Sequence, residues 1–211
     1  MYLTNEWFFY ASAIDEKTCN KIKSISKKND FEESKVDIKH DITDEERKTG
    51  KVAEYSQDKK SRISDVSWSN DQWVINLIWP YMLKANKEAG WNFDIKAVET
   101  MQITRYNPNG FYGWHRDGNA DCLSVYNNPN NKFMHGHARK LSMTILLNDN
   151  YEGGEFQFCS THGGEINVDT PDFKNTGSII VFPSFMEHQV TPVTKGTRYS
   201  LVAWFVGPPF K

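Results

Sequence analysis

Apolar positions follow two different spacings along this chain. In the first ninety residues they recur at helical intervals. Beyond Trp91 they bunch into short runs divided by turn residues. The aromatic run over residues 7–10 reads as a first strand. Asp15 then stands as an N-cap ahead of a helix over residues 18–28, which turns Ile22 and Ile25 toward the core. Residues 32–61 are charged and sparsely apolar, so they read as a solvated loop with weak strand or helix pieces. Asn70 or Asp71 caps a second helix, on which Val74, Leu77, Ile78 and Tyr81 mark one face. Pro80 falls inside that stripe and predicts a kink or local break, and Gly90 predicts the end.

After Trp91, segments 97–106, 141–147, 155–158, 177–182 and 198–206 are rich in Ile, Val, Thr and aromatic residues. Turn signals separate them, among them Asn107-Pro-Asn-Gly110, Glu152-Gly-Gly154, Gly163 and its neighbouring glycine, and Lys195-Gly196. Helices first and many short strands afterwards predict an α+β fold whose strands form a sandwich or barrel. One domain is expected over residues 1–211, with helical support in 1–92 and a β core in 93–211. Residues 118–139 form an Asn-rich insertion with few strand formers.

Composition narrows the class. Hydrophobic residues make up 38% of the 211, and 14% are aromatic, as in a chain that buries a core. The formal charge is −2, which disfavours a dedicated nucleic-acid binder. Cys19, Cys122 and Cys159 cannot all pair within one chain and form no CxxC motif, so free thiols in a reducing compartment are expected. The opening residues carry neither a basic region nor a long apolar stretch, and no apolar run approaches ~18 residues. A soluble cytoplasmic protein with no membrane segment is the expectation.

The chemistry centres on His115-Arg116-Asp117. On a strand, residues two apart share a face, so one imidazole and one carboxylate can aim at a common point. A third ligand must come from elsewhere, and His188, beyond a buried-looking strand and a turn, is the best placed. Two histidines and one carboxylate on one face of a metal leave the opposite face open, as non-haem iron(II) oxygenases require. Zinc would accept a similar set. Arg198, ten residues past His188, suits a carboxylate held near such a metal. Ser200 lies two residues further along the same strand face, and Tyr106 and Tyr112 can also point inward.

These residues carry a resemblance. The stretch Tyr106-Asn-Pro-Asn-Gly-Phe-Tyr112-Gly-Trp-His115-Arg-Asp117 continues in Arg139 to Asn148 and in Tyr151-Glu-Gly-Gly-Glu-Phe156. It ends in His188 to Arg198. In order and spacing it resembles the 2-oxoglutarate- and iron(II)-dependent dioxygenases, in the prolyl 4-hydroxylase-like branch, and the bacterial and phage PKHD-type hydroxylases more than the ethylene-forming or AlkB branches. The resemblance implies a double-stranded β-helix, that is, a jelly roll with helices packed on one side. It implies that His115, Asp117 and His188 ligate iron(II), and that Arg198 binds the far carboxylate of 2-oxoglutarate. A tyrosine assists, with Tyr112 the better fit and Tyr106 next, and Ser200 matches a pattern from other branches. Dioxygen would be the other co-substrate, ascorbate the expected reductant, and succinate and carbon dioxide the products.

A prolyl residue of a protein or peptide is the implied substrate, with residues 118–139 long enough to close over it. A free amino acid or other small molecule is the alternative, and a non-catalytic jelly-roll binding module is disfavoured by the complete ligand set. Nucleobase demethylases of similar core carry a second arginine where this chain has Trp204. His135 and His137 form a second H-x-H but lack a following Glu, so they read as loop residues, while His40 and His162 read as surface. Trp114 and Trp204 read as core, and Gly153-Gly154 as a tight turn. Substrate contacts are expected from residues 35–68 and 118–139.

Overall fold

Alternation of side chains across four central strands organises the molecule. The computed structural model describes residues 5–27, 29–35, 59–118, 123, 125–127, 129–162 and 165–210. The elements begin with β1 (Phe8–Tyr10), α1 (Glu16–Ile25), β2 (Glu32–Glu33), β3 (Arg62–Ile63), β4 (Asp65–Ser69) and α2 (Gln72–Glu88). Next come β5 (Ala97–Val98), β6 (Met101–Tyr106), β7 (Phe111–His115), β8 (Ala138–Leu146), β9 (Tyr151–Gly153) and β10 (Phe156–His162). The chain closes with β11 (Glu165–Asp169), β12 (Ile179–Pro183), β13 (Glu187–Val190), β14 (Val193–Gly196) and β15 (Arg198–Gly207).

The larger sheet runs β1-β12-β8-β15-β6-β4-β2, with β5 also on β15. The smaller runs β11-β10-β13-β7-β3, and β14 pairs with β9. All these pairings are antiparallel. This is an α+β fold of two facing sheets with helices on one side, the jelly-roll arrangement expected from the sequence.

The period of two decides what each face holds. Leu141, Met143 and Ile145 of β8, Ile179 and Val181 of β12, and Leu201, Ala203 and Phe205 of β15 turn outward. There they meet Ile22 and Ile25 of α1 and Val74, Ile78 and Met82 of α2 in one buried cluster. Ile78 is fully buried, so truncating it to Ala costs about 2–5 kcal/mol. The intervening positions face the other way. Ile180, Phe182, Leu146 and Tyr106 join Phe156 and Phe158 in a second cluster inside the barrel. The same face carries Thr104, Ser142, Arg198 and Ser200, all buried. A polar lining inside a barrel is costly unless something uses it.

Asp15 caps α1, accepting from the Thr18 backbone N–H at 2.7 Å. In the second helix the local break predicted as one outcome at Pro80 does not occur, and the helix runs through that residue. Pro80 is on the solvent side, where water can satisfy the carbonyl that the missing N–H leaves unpaired. The expected helical support in residues 1–92 also contributes strands: β1 extends one edge of the larger sheet, β4 and β2 the other, and β3 the smaller sheet. Among the described residues, no helix is long and apolar enough to cross a membrane.

Candidate active site

Antiparallel pairing sets the two histidines side by side. His115 ends β7, and His188 lies directly opposite it on β13, with ring centroids 4.2 Å apart. Each ring is held by the backbone two residues before it. Nδ1 of His115 lies 2.8 Å from the Gly113 carbonyl, and Nδ1 of His188 lies 2.9 Å from the Met186 carbonyl. A carbonyl only accepts, so Nδ1 is the donor in both rings and each Nε2 keeps a free lone pair. Those Nε2 atoms lie 3.9 and 3.7 Å from the two Asp117 oxygens.

Strand periodicity does not carry as far as Asp117, because β7 ends at His115. Its backbone N–H donates to the Ser184 carbonyl at 2.9 Å, and Ser142 Oγ donates to Oδ2 at 2.6 Å. Ser142 also bonds Ser184 at 3.0 Å, so the carboxylate hangs from β8 and from the turn before β13. His115, Asp117 and His188 place all their ligand atoms within 4.8 Å of one another, the one such group among the described residues.

Burial, then the proximity of His188, pushes the His115 imidazole down to about 3, so it is neutral at ordinary pH. Burial works to raise the Asp117 carboxyl. The adjacent histidines, Arg139 and the Ser142 hydrogen bond outweigh it and hold Asp117 below the usual carboxylate range. Two imidazoles and one carboxylate form a ready donor set for a divalent metal, with open positions left over.

Arg198 opens β15 and is 1% exposed. Its Nη1 donates to Ser200 Oγ at 3.2 Å, while buried Nε and Nη2 have no partner among the described residues. A desolvated guanidinium with bare donors is costly, so this position fits a carboxylate ligand. Space for its stem comes from Gly154, where an added Cβ would stand 2.9 Å from Arg198 Cδ. Gly153 and Gly154 both have positive φ, so the expected tight turn is present and also makes way for the arginine.

The two tyrosines separate. Tyr106 pairs with Arg198 across β6 and β15, and the guanidinium lies 5.5 Å from its ring centroid. Tyr112, the tyrosine the sequence favoured as helper, is instead stacked on His115, with centroids 3.5 Å apart and planes within 14°. Burial raises its hydroxyl to about 12.

Trp204 is core, as expected, with Arg139 stacked 4.2 Å from its ring centroid. Trp114 is not: it is 41% exposed, because alternation with His115 turns it to the outer face of the smaller sheet. His135 and His137 stay out of the metal cluster, and His137 Nδ1 bonds the Phe133 carbonyl at 2.6 Å. His40, Cys122 and Gly163 lie outside the described residues, as do parts of the segments 35–68 and 118–139.

Sequence reasoning missed several groups around the site. Ser142 and Ser184 orient Asp117. Arg139 forms a bidentate pair with Glu99, at 2.6 and 2.7 Å, and Tyr126 donates to the same carboxylate at 3.2 Å. Arg62 covers Tyr112, 4.4 Å from its centroid. Each is a common polar residue on a distant element, and only Ser142 and Glu99 fall on strands predicted from the sequence.

A sequence model of the 2OG-Fe(II) oxygenase superfamily matches residues 101–206, the span that holds every one of the residues just placed except Arg62 and Glu99. A PKHD-type hydroxylase of Synechococcus sp. is 34% identical over 113 residues, covering 52% of this chain and 43% of that protein. The PKHD-type hydroxylase YbiX of Escherichia coli is 34% identical over 111 residues, covering 52% and 44%. The chain thus spans less than half the length of these relatives. A Pseudomonas putida prolyl-4-hydroxylase superposes with a TM-score of 0.61 at 16% identity, covering 96% of this chain and 92% of the other. A Trichoplax adhaerens prolyl hydroxylase, in complex with a peptide fragment of hypoxia inducible factor, reaches 0.67 at 14% identity, covering 96% and 84%. At such identities these two structures speak for the fold alone.

Proposed function

The chain belongs to the 2OG-Fe(II) oxygenase superfamily, and from that premise we propose that it hydroxylates a prolyl residue of a protein or peptide. One observation carries the oxygenase reading. A two-histidine, one-carboxylate cluster shares a barrel with a buried arginine whose donors are bare among the described residues. Zinc would suit the cluster, but it gives no use for Arg198. A metal-chelating co-substrate with a second carboxylate does.

In this reading His115, Asp117 and His188 hold iron(II), and Arg198 takes the distal carboxylate of 2-oxoglutarate with Tyr106 and Ser200 beside it. Iron, 2-oxoglutarate and dioxygen supply the hydroxylating chemistry, with succinate and carbon dioxide as by-products and ascorbate as reductant. The protein's part is geometry. The backbone carbonyls of Gly113 and Met186 fix the imidazole tautomers. Ser142 holds the carboxylate orientation, and the apolar wall of Phe156, Phe158 and Phe182 keeps water from His188. Tyr112 keeps its proton and packs as a flat cover on His115. Residues 1–211 act as one catalytic unit, with α1 and α2 bracing the larger sheet from behind.

The prolyl preference is drawn from the prolyl hydroxylases among the fold neighbours and from the PKHD-type relatives. Incubation with iron(II), ascorbate, 2-oxoglutarate and Pro-containing peptides is expected to release succinate and add one oxygen atom to a peptide. No such mass gain across a broad panel sinks the prolyl assignment. His188→Ala is expected to weaken iron(II) binding at least ~100-fold, and parent-like affinity sinks the triad.

A further inference from the structure

Arg62 is used by nothing in the reading above. It lies on β3 opposite Tyr112 of β7, so the two side chains share the inner face of the smaller sheet. It is 8% exposed. Its Nε donates to Ser64 Oγ at 2.8 Å, and its buried Nη2 has no hydrogen-bond partner among the described residues. His115 already covers one face of the Tyr112 ring at 3.5 Å, so the Arg62 guanidinium, 4.4 Å from the centroid, occupies the other. Arg62, Tyr112 and His115 therefore form a stack that leads from the sheet edge to the metal ligands.

Charge makes the bare guanidinium informative. Three arginines surround the described site. Arg139 is matched by Glu99. Arg198 is matched by the co-substrate in the proposed reading. Asp117 opposes the metal. With a divalent metal and doubly charged 2-oxoglutarate in place, one positive charge is left without a counter-charge among the described residues, and it sits on Arg62. A buried unmatched charge is among the costlier features a fold retains.

We propose that Arg62 is a second anion-recognition group of this site and reads a carboxylate on the primary substrate. The proposal rests on the oxygenase reading and refines it: the substrate is acidic near the hydroxylated carbon. That carboxylate can be an Asp or Glu side chain, a peptide C-terminus, or the carboxylate of a free amino acid. All three present the same planar acceptor to the guanidinium fork.

The test uses the full chain loaded with Mn(II) and 2-oxoglutarate, without oxygen, and reads intrinsic tryptophan fluorescence. The probes come in twins: Pro-centred capped pentapeptide pools with one Asp or one Asn, pools with a free or an amidated C-terminus, and proline or prolinamide. At least one acid probe is expected to bind about tenfold tighter than its amide twin, and which twin does so identifies the source. Arg62→Gln is expected to bring that ratio to within about twofold with Mn(II) and 2-oxoglutarate affinities unchanged, and Arg62→Lys to keep part of it. Equal binding of all twins by the parent overturns the proposal, and so does a preference that survives Arg62→Gln. Weakened Mn(II) or 2-oxoglutarate binding in Arg62→Gln also overturns it, because Arg62 would then hold His115 or the co-substrate. Failure of the parent to bind Mn(II) and 2-oxoglutarate overturns the oxygenase reading itself.

Discussion

Replacing Arg198 by Met moves stability and co-substrate binding in opposite directions. The guanidinium is 1% exposed and among the described residues has one hydrogen bond, to Ser200 at 3.2 Å, with the Tyr106 ring 5.5 Å away. Those contacts contribute about 1 kcal/mol and ~0.5–2 kcal/mol respectively. Against them stands the desolvation of a full charge with bare Nε and Nη2, worth several kcal/mol. Methionine retains an unbranched stem in the space that Gly154 leaves, so packing loss is small. The metal-free variant is therefore expected to be as stable as the parent, or more stable by about 1–3 kcal/mol. Loss of a buried charge partner costs ~2–5 kcal/mol in binding, so 2-oxoglutarate affinity falls by about 30-fold to several thousandfold. Urea denaturation of the metal-free protein reads the first quantity, and 2-oxoglutarate titration at saturating Mn(II) reads the second. A variant destabilised by more than ~1 kcal/mol that still binds 2-oxoglutarate within about threefold of the parent refutes the argument. Arg198 would then be a structural residue with a partner of its own.

Three further outcomes follow from the same geometry. Ser142→Ala removes the 2.6 Å hydrogen bond that orients Asp117, and Mn(II) affinity is expected to drop about 10–100-fold, read by metal titration; an unchanged affinity shows that Ser184 alone positions the carboxylate. Gly154→Ala puts a side chain at φ +63° and against Arg198, so both stability and 2-oxoglutarate binding should fall, stability by ~1–2 kcal/mol. His115 stays neutral in the fold down to pH about 3 but protonates near 6.5 once unfolded. Between those values the unfolded chain binds the extra proton. This contribution to metal-free stability is therefore intact above pH ~6.5 and declines as pH falls toward 3, by up to ~1.4 kcal/mol per unit. Denaturation midpoints from pH 7 to pH 4 should flatten in His115→Phe, and a parent-like slope would contradict the burial seen for this ring.

Legibility in the sequence depended on how local each signal was. The metal ligands and Arg198 were readable because their types and spacings are unusual together. The central strands of the larger sheet were readable because both faces are buried, which leaves dense apolar runs at β8, β12 and β15. Strands β3, β4 and β11 lacked that signal. Arg62–Ile63 is two residues long, Asp65–Ser69 alternates small polar residues with one valine and one tryptophan, and the described residues of β11 are nearly all exposed. Their strand state comes from partners on β7, β6 and β10. Pro80 did not break α2 for the complementary reason, since its cost depends on which side of the helix meets water, and that is a tertiary fact.

The same division explains which site residues stayed hidden. A catalytic metal constrains its ligands to chemistry few side chains can supply, so those residues stand out one at a time. The groups that orient them need only be an ordinary donor on the correct face of a neighbouring strand. Ser142 is indistinguishable by type from the other serines until β8 is threaded between β12 and β15. Arg62 is harder still, because it sits beyond a charged segment whose texture reads as solvated loop. Parity does offer a usable signal. On β6, β8 and β15 the positions out of phase with the apolar face are polar in turn: Gln102 and Thr104, Ser142 and Thr144, Arg198 and Ser200. Such residues inside a sheet buried on both faces have no structural reason to be polar. A run of them on neighbouring strands marks the inside of a barrel built to hold something charged, before any motif is matched.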